Sequence, residues 1–559
     1  MQYLAIGHGK IFTIELDDAP LSGGGQGNVY RISYPYELSQ HCAKLYKTEK
    51  HAKESESRLR YMIINRPAYT EMQKIRICWP DYLLYSKNRE FVGYIMPLAF
   101  KGSRDLKIIE TYTFNQTIAQ KYPKYKTWNK FDYSDKDGFI RRLKMMKNWA
   151  LAVDIIHKTH KYVLIDIKPE NVLATDTGLI SIVDTDSFQI NDGYNVFKGP
   201  VATPEYFAKT AKQIQQQGTL QTTYCDMFAL GVSFYKILTG THPYSGFKLL
   251  PPYDTDEYCN IASHIDADLF AFGINRKYIE FLDDFNLHKR FLDLPSQIKT
   301  LFLRTFNSTT NYPSAEEWVN VLDAYIHKTD VKQPRKFSGN APLANTETRC
   351  LCVLVFDVSG SMATSIDAMN EALGTFVENL CLGIGGFCTS SKDSVEIGII
   401  QFDSSVSIVR KPCLVSSVSE IPVLQVNNGK TNTTAALDVA ISMVESRKTQ
   451  YKNVGLPYFR PWIILITDGN PEPFIEHEVN HVASRIRHGI DNKQFIFNAI
   501  GIGKNVDENL LRYISFGNYN RISRKNFSSM FRTLSCSINT MSKGFDNDNP
   551  LDGIDDISL

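Results

Sequence analysis

The sequence predicts a multidomain chain: a first part that runs from strand-like patterns into helical ones, and a second part that forms an α/β, doubly wound domain. Three observations lead there. The 559 residues exceed what one hydrophobic core organises, so about two to four domains are expected. Residues 328–347, KTDVKQPRKFSGNAPLANTE, mix Lys, Pro, Gly, Asn and Thr without a sustained hydrophobic period, which is linker composition. Beyond them, short apolar runs alternate with helical patterns, the signature of a parallel sheet covered on both faces.

Taken in order, the first part opens on strand-like alternation and passes through KTEKHAKESESRLRYMII (47–64) and FIRRLKMMKNWALAVDIIHKTHK (139–161), both helical in period, before a loop-rich insert at 241–295. The second part gives strands CLCVLVFD (350–357), SVEIGIIQF (394–402), WIILITD (462–468) and FIFNAIGIG (495–503). Helical patterns lie between them at 366–380, 434–446 and 476–488, and a last one spans about 526–543. The acidic tail 544–559 reads as solvated.

Composition narrows the function. With 62 Lys+Arg against 60 Asp+Glu, no global field draws the chain to nucleic acid or to an anionic membrane surface. No stretch approaches the roughly 18 apolar residues of a membrane span, and the opening MQYLAIGHGKIFTIELDD lacks a basic segment followed by an apolar run. A soluble, cytoplasmic protein is expected. The ten cysteines are scattered and form no C-x-x-C, which points to neither zinc nor a disulfide framework.

Two segments of the first part carry chemistry. In LSGGGQGNVYRI (21–32), the glycines suit a hairpin whose backbone must approach a polyphosphate with no Cβ in the way. Fifteen residues after Val29 comes Lys44 on a strand-like alternation. The stretch LIDIKPENVL (164–173) crowds Asp166, Lys168, Glu170 and Asn171 between apolar anchors, and Asp184 follows Asn171 by thirteen residues at the end of an apolar strand. A glycine hairpin, a lysine, two aspartates and an asparagine in this order can build one phosphate-transfer site: a carboxylate to orient a hydroxyl, cations on the phosphoryl oxygens, and hard oxygen ligands for a metal.

In these residues the first part resembles a protein kinase, over roughly 15–327. Ser22, Gly23, Gly24, Gly25, Gly27 and Val29 fall on the glycine loop, Lys44 on the strand lysine, Asp166, Lys168 and Asn171 on the catalytic loop, and Asp184 on the metal-binding aspartate. ATPEY (202–206) resembles the end of the activation segment, with Thr203 reaching the catalytic loop, and Asp226 resembles the helix aspartate that holds the catalytic-loop backbone. The resemblance implies a bilobal α+β fold over 1–327, with an N-lobe to about 97 and a C-lobe from about 98, binding ATP and Mg²⁺ and acting on a Ser/Thr acceptor of a protein substrate. Asp166 and Lys168 are the expected catalytic pair. Asn171 and Asp184 are the expected metal ligands, with Met96 near the adenine hinge. For the partner of Lys44, a helical face through Ala52, Leu59 and Ile63 selects Glu56.

The departures are informative. Leu164 and Ile165 stand where the His-Arg pair is usual, and Thr185 and Asp186 where Phe-Gly is usual, as in a bacterial kinase-like branch reading D-x-D-S-F-Q that is associated with tellurite-resistance and stress gene sets. Thr210 and Tyr312 stand in place of the usual glutamate-arginine pair, so both partners are exchanged together. A pseudokinase, a nucleotide-sensing scaffold without transfer, is the alternative reading. It normally lacks the lysine or one of the two aspartates, and all three are present here.

In the second part, VLVFDVSGSM (353–362) sets Asp357, Ser359 and Ser361 at alternate positions after an apolar strand, the edge of an open α/β sheet where ligands sit. One carboxylate with hydroxyls suits Mg²⁺. With Thr431 in GKTNTTAALDVA and Asp468 in IILITDGNPEP, this resembles the metal-ion-dependent adhesion site of von Willebrand factor A domains, over roughly 348–543. The resemblance implies a Rossmann-like domain that holds Mg²⁺ or another divalent cation through Asp357, Ser359, Ser361, Thr431 and Asp468 and grips an acidic side chain of a protein partner.

Overall fold

The structure, a computed structural model, describes residues 2–23, 26–68, 74–111, 122–133, 135, 137–282, 287–327, 345–383, 391–418, 423–427, 429–469, 471–503, 506–523 and 526–542. Most of the expected linker, the expected tail, and Gly24 and Gly25 of the glycine loop lie outside these residues. The chain divides into two compact units: Met1–Pro243 with Phe270–Ile274 and Asn286–Ala344, and Tyr244–Leu269 with Asn275–Phe285 and Asn345–Leu559.

Unit 1 begins with β1 (Gln2–Gly7), β2 (Lys10–Gly23), β3 (Gly27–Tyr34) and β4 (His41–Tyr46), followed by helix α1 (Glu49–Ile64), β5 (Ile75–Ile77), β6 (Tyr82–Tyr85) and β7 (Phe91–Pro97). Six of these strands close a barrel in the order β1-β2-β3-β4-β7-β6. The two-residue period of the strands sorts the side chains: Ala43 and Ile95 point into the barrel with Ala5, Ile14, Leu16, Ile32 and Leu84. Cys42, Tyr94 and Met96 point outward and pack with Leu59 of α1. Thr48 caps α1 by accepting from the His51 N–H, and the helix buries Ala52, Leu59 and Met62.

The rest of unit 1 is mainly helical, with β8 (Arg104–Asp105), α2 (Lys107–Thr111), α3 (Gly138–His157), β9 (Val172–Ala174), β10 (Ile180–Ile182), α4 (Lys209–Gln216), α5 (Thr223–Thr239), α6 (Ser296–Asn307) and α7 (Ala315–Ile326). Helix α5 is apolar on nearly every side and is buried along its length, as a helix at the centre of a helical block must be. Edge-to-face rings of Trp149, Phe234, Trp318 and Phe302, with centroids 5.0–5.7 Å apart, tie α3, α5, α6 and α7 together. This block supports the loop from 164 to 171 between α3 and β9.

Unit 2 is built on β11 (Cys350–Asp357), β12 (Val395–Phe402), β13 (Val406–Leu414), β14 (Trp462–Thr467), β15 (Ile496–Ile502) and β16 (Tyr519–Ile522), in the order β13-β12-β11-β14-β15-β16. Alternate residues of β11 serve opposite faces. Cys350, Cys352, Leu354 and Phe356 meet α8 (Ile366–Leu382) and α12 (Phe527–Ser542), while Leu351, Val353 and Val355 meet α9 (Thr433–Asn453), α10 (Glu476–Asp491) and α11 (Glu508–Ser515). The domain is doubly wound, as its strand and helix alternation predicts. Strand β13 is an antiparallel edge with a largely solvated, weakly patterned sequence, which is why apolar runs alone do not reveal it. Strand β16 and helix α11, only four and eight residues long, escape the same reading.

The units do not divide where the linker composition divides the sequence. Segments 244–269 and 275–285, expected within the first domain, belong to unit 2. There the Gly246 N–H donates to the Gly455 carbonyl at 3.0 Å and the Tyr458 N–H to the Cys259 carbonyl at 2.9 Å. Asp256 accepts from Lys448 and Lys452, each at 2.8 Å, and from the Tyr458 hydroxyl at 3.2 Å. Among the described residues, no helix is long and apolar enough to cross a membrane.

Candidate active site and candidate metal centre

Strand register brings the first site together. Val29 lies opposite Lys44 in the β3/β4 pair, and Ser22 and Gly23 lie opposite Val29 and Asn28 in the β2/β3 pair. Gly27 is required by close approach: a Cβ there would fall 2.6 Å from the Leu45 carbonyl oxygen and 3.3 Å from Lys44 Cγ. Lys44 Nζ reaches Asp184 Oδ1 at 2.5 Å and both oxygens of Asp186 at 2.7 and 3.0 Å. Burial alone would lower the Lys44 pKa, but Asp186 and then Asp184 outweigh it and hold the ammonium above its ordinary value.

The residues expected on the catalytic loop converge from the other side. Asp166 Oδ1 accepts from the Thr203 hydroxyl at 2.8 Å and from its N–H at 3.2 Å, while Lys168 Nζ stands 2.6 Å from Asp166 Oδ2 and 3.0 Å from Thr203 Oγ1. Asn171 Nδ2 donates to the Asp166 carbonyl at 2.9 Å, and the Val183 N–H donates to the Asn171 carbonyl at 3.0 Å, which ties the loop to the turn carrying Asp184. Asp184 is left-handed at φ 60°, a region aspartate tolerates better than most side chains. Asp166, Asn171 and Asp184 line one cleft with Leu164, Ile167 and Val183.

What holds this loop is Asp226 of α5. Its carboxylate is fully buried and accepts from the Ile165 N–H at 2.7 Å and the Leu164 N–H at 2.8 Å, with His157 Nε2 also at 2.8 Å. Ile165 is left-handed at φ 67°, which costs a β-branched residue about 1–3 kcal/mol and persists because these bonds over-determine it. Thr210 and Tyr312 do not meet as a charged pair would. Tyr312 instead packs its ring, tilted by 53°, against Tyr224 at a centroid distance of 4.8 Å and brings its hydroxyl 3.3 Å from Thr223 Oγ1.

The expectation that Glu56 partners Lys44 is corrected by the contacts: Glu56 Oε1 accepts from Arg60 at 3.0 Å and from the Tyr85 hydroxyl at 2.8 Å. The buried row of α1 runs through Ala52, Leu59 and Met62, one residue out of phase with a row that would carry Glu56 inward. Met96 lies on β7 opposite Cys42, in the apolar cluster that also takes in Val29 and Val183. Sequence reasoning overlooked Tyr46 and Tyr94, whose hydroxyls donate to Asp186 at 2.7 and 2.9 Å. The signal was available, since Tyr46 follows Lys44 by two residues on the same strand face.

In unit 2 the predicted oxygen donors gather at the carboxyl ends of β11 and β14. Asp357 Oδ1 accepts from the Ser359 N–H at 2.9 Å and Oδ2 from the Thr467 hydroxyl at 2.6 Å, a support the sequence reading did not include. Ser359 Oγ is 3.1 Å from Ser361 Oγ, and the Ser361 hydroxyl donates to Asp468 Oδ1 at 2.6 Å. A Cβ on Gly469 would fall 3.3 Å from Thr431 Oγ1 and 3.7 Å from Asp357 Oδ2, so Thr431 joins the same cluster and the glycine leaves it room. Burial raises the Asp357 pKa against the hydrogen bonds from Ser359 and Thr467, and the neighbouring Asp468 adds to the rise. Two carboxylates and three hydroxyls are hard donors of low total charge, a set that fits Mg²⁺ with retained waters. Among the described residues no group of three or more His, Cys, Asp or Glu suggests a softer or more highly charged site.

Comparison with known proteins finds a family for each part of the chain. Residues 107–269 match the protein kinase domain family, and residues 352–534 match the von Willebrand factor type A domain family. The chain therefore carries a protein kinase domain followed by a von Willebrand factor type A domain. It is 23% identical over 321 residues to Protein kinase YegI of Escherichia coli strain K12, covering 54% of this chain and 43% of that protein, which supports the bacterial kinase-like branch. It is 34% identical over 207 residues to Serine/threonine-protein kinase MRCK beta of Homo sapiens, 34% of this chain and 12% of that protein. The chain thus spans less than half the length of either relative. Among solved structures, the ROP18 kinase domain in complex with AMP-PNP and sucrose aligns with 58% of the chain and 84% of its own, at 16% identity and a TM-score of 0.39.

Proposed function

We propose that the chain is an ATP-dependent protein kinase of the Ser/Thr type whose von Willebrand A domain recruits a substrate or complex partner through a divalent cation. The observation that carries the reading is the convergence of Lys44, Asp166, Asn171 and Asp184 from three separate segments. Asp166 would orient the attacking hydroxyl and Lys168 would offset charge on the moving phosphoryl group. Asn171 and Asp184 offer an amide and a carboxylate, a hard-oxygen pair that would hold Mg²⁺, which when bound would offset the negative charge of the ATP phosphates. Thr203 keeps Asp166 and Lys168 in one geometry through the bonds it shares with both.

In the second domain Asp357, Ser359, Ser361, Thr431 and Asp468 would hold the cation, leaving a place for an acidic side chain of the partner. Among the described residues no further base or nucleophile accompanies them, so the reading there is grip and not turnover. Recruitment at one domain raises the local concentration of a substrate at the other. A cytoplasmic location, action without nucleic acid or membrane, and a role in a stress response belong to the same proposal.

Incubation with labelled ATP and Mg²⁺ tests it. Wild-type chain should label itself or a generic acceptor such as casein, and Asp166→Ala and Asp184→Ala should each abolish transfer. No transfer by the wild type, with ATP binding retained, would replace the enzyme by a nucleotide-sensing scaffold. Recovery of the same co-purifying proteins by wild type and by Asp357→Ala would remove the recruitment half.

A further inference from the structure

A buried lysine that must serve a phosphate needs a fixed counter-charge, or its desolvation opposes folding. Two carboxylates stand against Lys44, and they differ in setting. The Asp184 side chain is 44% exposed on the cleft, whereas the Asp186 side chain is 2% exposed. Asp186 is also held from every side. Lys44 donates to both of its oxygens, the Tyr46 hydroxyl to Oδ2 at 2.7 Å and the Tyr94 hydroxyl to Oδ1 at 2.9 Å.

The sequence builds this cradle locally. Lys44 and Tyr46 share one face of β4, and Tyr94 lies directly across from Lys44 in the β4/β7 register. Asp184 and Asp186 are two residues apart around a 3-10 turn, Thr185–Ser187, which the Thr185 hydroxyl anchors by donating to the Cys78 carbonyl at 3.0 Å. Helix α1 supplies no carboxylate. It supplies Arg58, whose guanidinium donates to the Asp186 carbonyl at 3.1 Å and so fixes the backbone of the aspartate.

From this division we infer that Asp186, and not a glutamate of α1, is the residue that positions Lys44 for the phosphates of ATP, while Asp184 is the exchangeable carboxylate that turns to a metal. The inference rests on the kinase reading above. Asp186 is a positioning residue: it touches neither substrate nor metal, and acts through the lysine.

A double-mutant cycle tests it on the full chain, with kcat/KM for ATP measured on casein and ATP affinity measured by titration calorimetry. Asp186→Asn should lower kcat/KM about 10²-fold, as a displaced catalytic group does, and Lys44→Met should lower it to a similar degree. The double variant should be no worse than Lys44→Met within about twofold, since both changes remove one unit, and Glu56→Gln should stay within about threefold of wild type. A fold defect alone would multiply with Lys44→Met, so a multiplicative loss overturns the inference. A 10²-fold loss in Glu56→Gln with near-normal Asp186→Asn overturns it as well. Should Asp186→Asn fail to fold, Tyr94→Phe takes its place: a loss of about tenfold in the wild type and none on top of Lys44→Met supports the inference, and equal losses in both overturn it. If the wild type binds ATP without transferring phosphate, the kinase reading fails on its own, and the same cycle read on ATP affinity decides the inference by additivity.

Discussion

Replacing Asp226 by asparagine tests what holds the loop from 164 to 171. Asp226 Oδ1 accepts from the Ile165 N–H, and Oδ2 accepts from the Leu164 N–H and faces His157 Nε2, all at 2.7–2.8 Å. An asparagine has one carbonyl oxygen and one NH₂ group. Whichever way the amide turns, its NH₂ meets a backbone N–H that it cannot satisfy. A buried orphaned donor costs about 1–3 kcal/mol, and the bond that survives loses the strength conferred by the charge, about 1 kcal/mol more. The total is about 2–4 kcal/mol against the closed loop, which corresponds to about 30-fold to 10³-fold in its opening equilibrium. Ile165, held left-handed at φ 67°, relaxes once the loop opens and adds to the same side. Hydrogen exchange of peptides covering 160–172 reads this locally, without requiring the two units to unfold together. Asp226→Asn should lose protection by the stated factor, Asp226→Ala by more, and phosphoryl transfer should fall with both. Protection within about threefold of wild type in Asp226→Asn would refute the view that these bonds hold the loop.

Glu110 on α2 is fully buried, 3.4 Å from Lys236 and within 3.2 Å of the Tyr206 hydroxyl. Burial pushes its pKa up from 4.5 to about 7 against the pull of Lys236, with Glu170 adding to the rise. Between those values the folded chain keeps a proton that the unfolded chain has lost, so the stability of unit 1 falls as pH rises through the window, by up to about 3 kcal/mol. The melting temperature of unit 1 in Glu110→Gln should lack that decline, and an identical pH profile in the variant would count against it. Asp256→Ala leaves the buried Lys448 without its carboxylate, and proteolysis within 244–285 should accelerate at least about tenfold if the loss is about 1.4 kcal/mol or more. Because hydrogen bonds from Lys448 and Lys452 hold the Asp256 carboxyl below its ordinary pKa against burial, the same segment should loosen in the wild type as acid protonates Asp256. Mg²⁺ should raise the melting temperature of unit 2 in the wild type and not in Asp357→Ala; an equal rise in both would remove Asp357 from the metal centre.

Much of both sites could be read from the chain because their residues follow one another in fixed order at short spacings. Asp166, Lys168 and Asn171 occupy one turn of sequence, and Asp357, Ser359 and Ser361 alternate after one strand. The partner of Lys44 could not be read in this way. It lies 142 residues away, and a face of α1 drawn through Ile63 takes in a residue that is only partly buried, where the inner row is Ala52, Leu59 and Met62. A helical wheel fixes a face to within about one residue, and one residue is about 100°. The second acid of D-x-D was the usable clue, because a carboxylate in an apolar strand end has to find a partner. The division of the units was equally hidden: linker composition marks where a chain is unpatterned, not which loops fold with which sheet.

That division bears on how the gene could be shortened. A fragment starting at residue 345 looks self-sufficient on paper, yet it would be born without Asp256, Cys259 and Gly246, and the buried Lys448 would keep the Gln494 carbonyl but lose its carboxylate. The complementary fragment would carry two orphaned loops. For this polypeptide the sensible scissors do not fall at the linker, because the chain visits its second unit twice before arriving there to stay.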